Sequence, residues 1–96
     1  MVIVFHMKLH IKIEISGKVQ GVWFRKSAKE KADELCIFGF IENCENGSVY
    51  IEAEGTIEML ESFVQWCHEG PPNALVKDVV LLKYEKLQNF QSFEIE

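Results

Sequence analysis

The chain has 96 residues, of which 48% are hydrophobic and 26% charged, and its formal net charge is −5. That length holds one domain and leaves no room for two, and the composition is that of an ordinary soluble globular protein. The acidic balance argues against nucleic acid or an anionic membrane surface as partner, and no apolar run approaches the length of a membrane span.

Met1-Val2-Ile3-Val4-Phe5-His6 is apolar but short, without a basic leader, a signal-length apolar run or a cleavage site. It reads as an extension over residues 1–6, ahead of a domain over 7–96. From Lys8 to Ile15 the chain alternates strictly: Leu9, Ile11, Ile13 and Ile15 point one way, and Lys8, His10, Lys12 and Glu14 the other. This predicts a half-buried strand with an exposed outer row, His10 included. Ser16-Gly17 ends it. From about Trp23 to Leu35 the period becomes helical, with Phe24, Ala28, Ala32 and Leu35 on one face and the lysines outside.

Ile37 to Cys44 reads as a second strand. Asn46-Gly47 is a hairpin signal, since both residues tolerate positive φ. Ser48 to Glu54 is the returning strand, with Val49, Ile51 and Ala53 inward, and Gly55-Thr56 breaks it. Thr56 is an N-cap candidate for a helix running to about Glu69 that buries Ile57, Leu60, Phe63, Val64 and Cys67, with Met59 and Trp66 at its rim and His68 exposed. Gly70-Pro71-Pro72 stops that helix. Leu75 to Tyr84 is a long strand and Phe93 to Ile95 a short last one. The order β-α-β-β-α-β with a short C-terminal strand predicts an α+β, ferredoxin-like split β-α-β sandwich, its mainly antiparallel sheet carrying two helices on one face.

The stretch Gly17-Lys18-Val19-Gln20-Gly21-Val22-Trp23-Phe24-Arg25 combines a glycine-bracketed loop, a helix start and the sole arginine of the chain. Permissive glycines let several backbone N–H groups turn to one side, a helix start adds unpaired N–H groups, and a guanidinium offers a planar fork for phosphate oxygens. Together they form a cradle for a phosphate or carboxylate; the plainer reading is a tight turn with a surface arginine. Between Gly17 and Lys31, Lys18, Arg25, Lys26, Lys29 and Lys31 stand against Glu30, a net +4 that leaves −9 for the other residues. A local basic patch on an acidic protein suits a small anion better than a polyanion, or else it is a solvated helix face. Cys36, Cys44 and Cys67 are odd in number and too scattered for a zinc pattern. They read as free, half-buried packing thiols in a reducing, cytoplasmic compartment.

The loop closely resembles the first signature of the acylphosphatases. Gly39-Phe40-Ile41-Glu42-Asn43-Cys44-Glu45-Asn46-Gly47-Ser48-Val49, continuing to Gly55, resembles their second, and Gly70-Pro71-Pro72-Asn73-Ala74 with Val79 is similar to the segment after their second helix. The resemblance runs from about Met7 to Ile95. It implies hydrolysis of an acyl phosphate to a carboxylate and inorganic phosphate, without a metal or other cofactor, with the small substrate as partner; the size and single core allow a monomer. It carries the phosphate-binding arginine onto Arg25 and the water-orienting asparagine onto Asn43, with the backbone N–H groups of Val19, Gln20, Gly21 and Val22 completing the cradle. Read as a residue alone, Asn43 is a polar residue near a hairpin.

The sequence departs from the family pattern at three positions. Glu42 sets negative charge beside Asn43, although alternation should point it to the other face of the sheet. Cys36 stands where a glycine usually ends the first helix, and Ile41 replaces a smaller apolar residue. The competing functional readings are a non-catalytic module that binds a small anionic metabolite, for which Glu42 speaks, and RNA binding through the sheet, against which the net charge speaks.

Overall fold

Alternation along β1 (Lys8–Lys18) buries Ile11, Ile13 and Ile15 while Lys12 and Glu14 stay half-buried. The computed structural model describes residues 7–96, the side chains of 83–85 excepted; the extension expected over 1–6 lies outside the described residues. After β1 come α1 (Phe24–Glu34), β2 (Phe38–Asn43), β3 (Val49–Thr56), α2 (Ile57–Glu69), β4 (Leu75–Glu85) and β5 (Phe93–Ile95). The sheet order is β4-β1-β3-β2-β5, with every neighbouring pair antiparallel except β2 and β5, which run parallel. This is the expected ferredoxin-like α+β arrangement.

Register aligns the apolar rows. Ile13 faces Ile51, and Ile51 faces Ile41, so three strands present one continuous surface. Helix α1 lays Phe24, Ala28 and Ala32 on it at intervals of four, and α2 lays Leu60, Phe63 and Cys67. Phe63 meets Phe93 of β5 at 5.9 Å between ring centroids, and Phe24 meets Trp66 at 5.3 Å. Each fully buried phenylalanine stabilises the fold by roughly 1.5–3 kcal/mol.

The ends of the helices follow local chemistry. Thr56 Oγ1 accepts from the Met59 N–H at 3.3 Å, as an N-cap should. Strand β3 runs unbroken through Gly55 into that cap, where the sequence suggested a break. At the end of α1, the Cys36 N–H donates to Asp33 O at 3.3 Å and the Ile37 N–H to Ala32 O at 2.8 Å, the paired bonds of a Schellman motif. Its left-handed position is Cys36, at φ 57°.

Strand β1 extends past the expected stop at Ser16-Gly17. Gly17 and Lys18 pair with Val76 and Leu75 of β4 after a register shift. Gly17 has φ 121°, and a Cβ there would stand 2.2 Å from Leu75 O, so only glycine lets the two strands approach this closely.

His10 corrects the sequence reading. Its side chain does point to the outer face, but it is 1% exposed, because the segment between β4 and β5 packs over it. The Phe90 ring lies 5.7 Å from the imidazole, and the N–H groups of Gln88 and Phe90 both donate to the Glu54 carboxylate. His10 Nδ1 is 3.1 Å from Glu54 and Nε2 is 2.8 Å from Glu52. Alternation tells which face a side chain takes, not what covers that face. His68 is exposed, as expected. The thiols are all free but not uniformly half-buried: Cys36 is exposed, Cys44 intermediate and Cys67 buried.

Candidate active site

The loop between β1 and α1 is pinned from inside. Val19 and Val22 are buried, which anchors the loop in the core and holds its backbone in place, while Gly21, at φ 74°, stays exposed and has open space where a Cβ would stand. The Gln20 side chain leaves the loop altogether: its Nε2 donates to Cys44 O and Ser48 O, each at 2.8 Å. The loop is thereby tied to the β2–β3 hairpin.

Helix α1 starts without a side-chain cap. Trp23 occupies the N-cap in the left-handed region, at φ 67° and ψ 21°, and offers no acceptor. The first intrahelical bond runs from Ser27 N–H to Trp23 O at 3.0 Å, so the N–H groups of the preceding turn have no acceptor within the helix. The positive end of the helix dipole points the same way.

Asn43 arrives from the other side. On β2, Gly39 and Ile41 are buried toward the helices, so Asn43 continues that row past the last core residue and emerges into solvent. A cavity of about 370 Å³ is lined by Val19, Gly21, Trp23, Phe24, Arg25, Lys26, Asn43 and Ile95. The structure thus brings Arg25, Asn43, Val19 and Gly21 to one place, although Arg25 and Asn43 sit on different elements. The side chains of Gln20 and Val22 turn away from it; one binds the hairpin and the other packs in the core. Arg25 Nη1 donates to Glu96 O at 3.0 Å, at an exposed position. Arg25 and Lys26 give the wall two positive charges and, among the described residues, no carboxylate lines it, an arrangement that concentrates a small anion.

Glu42 takes the opposite face. It sits across from Tyr50, away from the cavity, and adds to the charge that raises the Tyr50 hydroxyl's pKa. Burial is the largest cause of that rise, followed by the Glu52 carboxylate, which accepts from the Tyr50 hydroxyl at 2.7 Å. Burial likewise pushes the Cys67 thiol well above its ordinary range, which leaves it protonated and a poor nucleophile at neutral pH. Among the described residues, no set of three His, Cys, Asp or Glu side chains is arranged to hold a metal ion, and no helix is long and apolar enough to cross a membrane.

The acylphosphatase family model matches residues 11–95. The chain belongs to the acylphosphatase family. An acylphosphatase of Marinobacter nauticus is 43% identical over 79 residues, which is 82% of this chain and 86% of that protein. An acylphosphatase structure from Bacillus subtilis superposes with a TM-score of 0.89 at 34% identity, covering 92% of this chain and 98% of that one. One from Coxiella burnetii gives 0.88 at 34% identity, covering 93% of each chain. The protein is an enzyme of this hydrolase family.

Four members of the cavity wall escape a reading of the acylphosphatase signatures for catalytic groups, the core residue Phe24 among them. Trp23 reads only as the start of the helical stretch until its exposure is known. Lys26 is visible only as part of the basic segment. Ile95 reaches the site because β5 pairs in parallel with β2, setting Ile95 beside Ile41, a long-range pairing with no local signal.

Proposed function

We propose that the protein hydrolyses acyl phosphates to a carboxylate and inorganic phosphate, with Arg25 and Asn43 as its catalytic residues and no metal ion. The observation that carries this reading is that Arg25, Asn43 and the Gly21 loop line one cavity. The phosphoryl group lies against the Arg25 guanidinium and the backbone N–H groups of the Val19–Val22 loop. Asn43 orients a water in line with the bond to be broken: its amide both donates and accepts, but it is a poor base. The water oxygen bonds to phosphorus, the bond from phosphorus to the acyl oxygen breaks, and its electron pair leaves on the carboxylate. The proton of the water passes to a phosphoryl oxygen of the substrate.

So few groups suffice because the leaving carboxylate is a weak base and needs no general acid. Phosphoryl transfer requires chiefly positioning and stabilisation of charge on the equatorial oxygens. The test is phosphate release from benzoyl phosphate by purified protein, with and without a chelator. Metal-independent turnover above the spontaneous rate is the expected result; decay at the spontaneous rate rejects the reading. The free thiols support a reducing, cytoplasmic compartment, and gel filtration tests the accompanying expectation of a monomer.

A further inference from the structure

Trp23 is 73% exposed, the most exposed large apolar side chain among the described residues, yet it lines the same cavity as Arg25 and Asn43. Its backbone is also costly: a bulky aromatic residue at φ 67° is rare, and such strain persists where the surroundings impose it, commonly at functional sites. The Trp23 side chain itself does not serve the fold. The indole is not packed into the core, and Trp23 gives the helix no side-chain cap. Lys26 Nζ stands 5.9 Å from the ring centroid, within cation–π range, which holds the ring at the cavity wall. Ile95, itself 42% exposed, adds a second apolar side chain to that wall.

The wall therefore carries two chemistries. Arg25, Asn43 and the loop suit the phosphoryl group, which every acyl phosphate shares. Trp23 and Ile95 present chiefly apolar surface, which suits the part of the substrate that varies better than it suits phosphate. We infer that Trp23, assisted by Ile95, binds the acyl group and makes the enzyme selective for acyl phosphates whose acyl group is aromatic over those with a short aliphatic one. This rests on the acyl phosphate reading above. A planar aromatic acyl group gains an offset or edge-on ring contact with the indole; an acetyl group is too small to cover it.

The test is the ratio of kcat/KM for benzoyl phosphate to that for acetyl phosphate, in the wild type, Trp23→Gly and Trp23→Phe. Glycine accepts φ 67°, so the first variant relieves strain and does not threaten folding. Trp23→Gly is expected to lower the ratio by roughly three- to tenfold. The loss falls on KM for benzoyl phosphate, with kcat held within about twofold, because the contact is made equally in ground and transition states. Trp23→Phe restores most of the ratio. An unchanged ratio in Trp23→Gly, or an equal loss on both substrates, overturns this inference and leaves the hydrolytic reading standing. A wild type that turns over neither substrate overturns both.

Discussion

The Gln20 side-chain amide donates to the Cys44 carbonyl oxygen at 2.8 Å, joining the loop that precedes Arg25 to the residue that follows Asn43. A second bond to Ser48 O clamps both ends of the hairpin turn at once. The two halves of the proposed site, 18 positions apart in sequence, are thereby held at one spacing by a side chain that does not line the cavity. Under the proposed mechanism Gln20 positions the two halves and does not touch the substrate with its side chain. Gln20→Ala should lower kcat for benzoyl phosphate by about tenfold to a hundredfold, since small displacements of oriented groups are costly. It should also lower the unfolding free energy by roughly 1–2 kcal/mol through two lost hydrogen bonds. Steady-state kinetics and urea unfolding of the same variant separate the two effects.

Arg25 and Asn43 should behave differently from Gln20. Arg25→Ala is expected to reduce kcat/KM by on the order of 10³-fold or more, and Asn43→Ala by about 10²–10³-fold. Both residues are at least partly exposed, so stability should change by less than about 0.5 kcal/mol in each. Asn43→Asp should be no better than Asn43→Ala, because a carboxylate repels the phosphoryl oxygens. Parallel assays and thermal melts check all three.

His10 should matter to stability alone. Each ring nitrogen faces a carboxylate oxygen, and both can donate only when the imidazole carries two protons. His10→Ala removes the buried ring to which Glu52 and Glu54 both bond, under the segment that holds Phe90, and should cost about 1–3 kcal/mol, as leaving a buried polar group without its partner does. Activity of the folded fraction at low temperature should stay near wild type. Denaturant unfolding checks the first expectation and an assay at 10–15 °C the second.

Cys36 holds the left-handed position of the Schellman motif at φ 57°. Cys36→Gly should raise stability by about 0.5–1 kcal/mol, offset in part by the greater freedom of glycine in the unfolded chain. For a domain of this size that is a rise in Tm of roughly 2–8 °C, read by calorimetry.

Alkaline pH should unfold the protein partly through Cys67. The folded state keeps this buried thiol protonated, while the unfolded chain ionises it near the ordinary value of 9.0. Above that pH the native state binds more protons than the unfolded state, so stability falls as pH rises. Each such group contributes a slope of up to about 1.4 kcal/mol per pH unit. Below pH 9 the contribution is fully present. Tyr50, raised by burial and by Glu52, acts in the same direction at higher pH. Stability measured from pH 8 to 11 should decline more gently in Cys67→Ala, from a lower starting value because of the small cavity left in the core.

Much of the fold and the two catalytic candidates were legible in the chain because they rest on local periodicity and short motifs. Strict alternation set the strands, spacings of three and four set the helices, Asn46-Gly47 set the hairpin, and the signatures around Arg25 and Asn43 singled out those two residues. The geometry around them was not legible, since it depends on contacts between positions far apart in sequence. Only the tertiary structure puts Gln20 on Cys44, brings Ile95 to the cavity through the parallel β2–β5 pairing, and covers His10 with the segment around Phe90. The sequence by itself determined which side chains point together along each element. Which elements then meet was decided by the packing of the whole chain, because a period of two or 3.6 carries no information about what lies across the sheet.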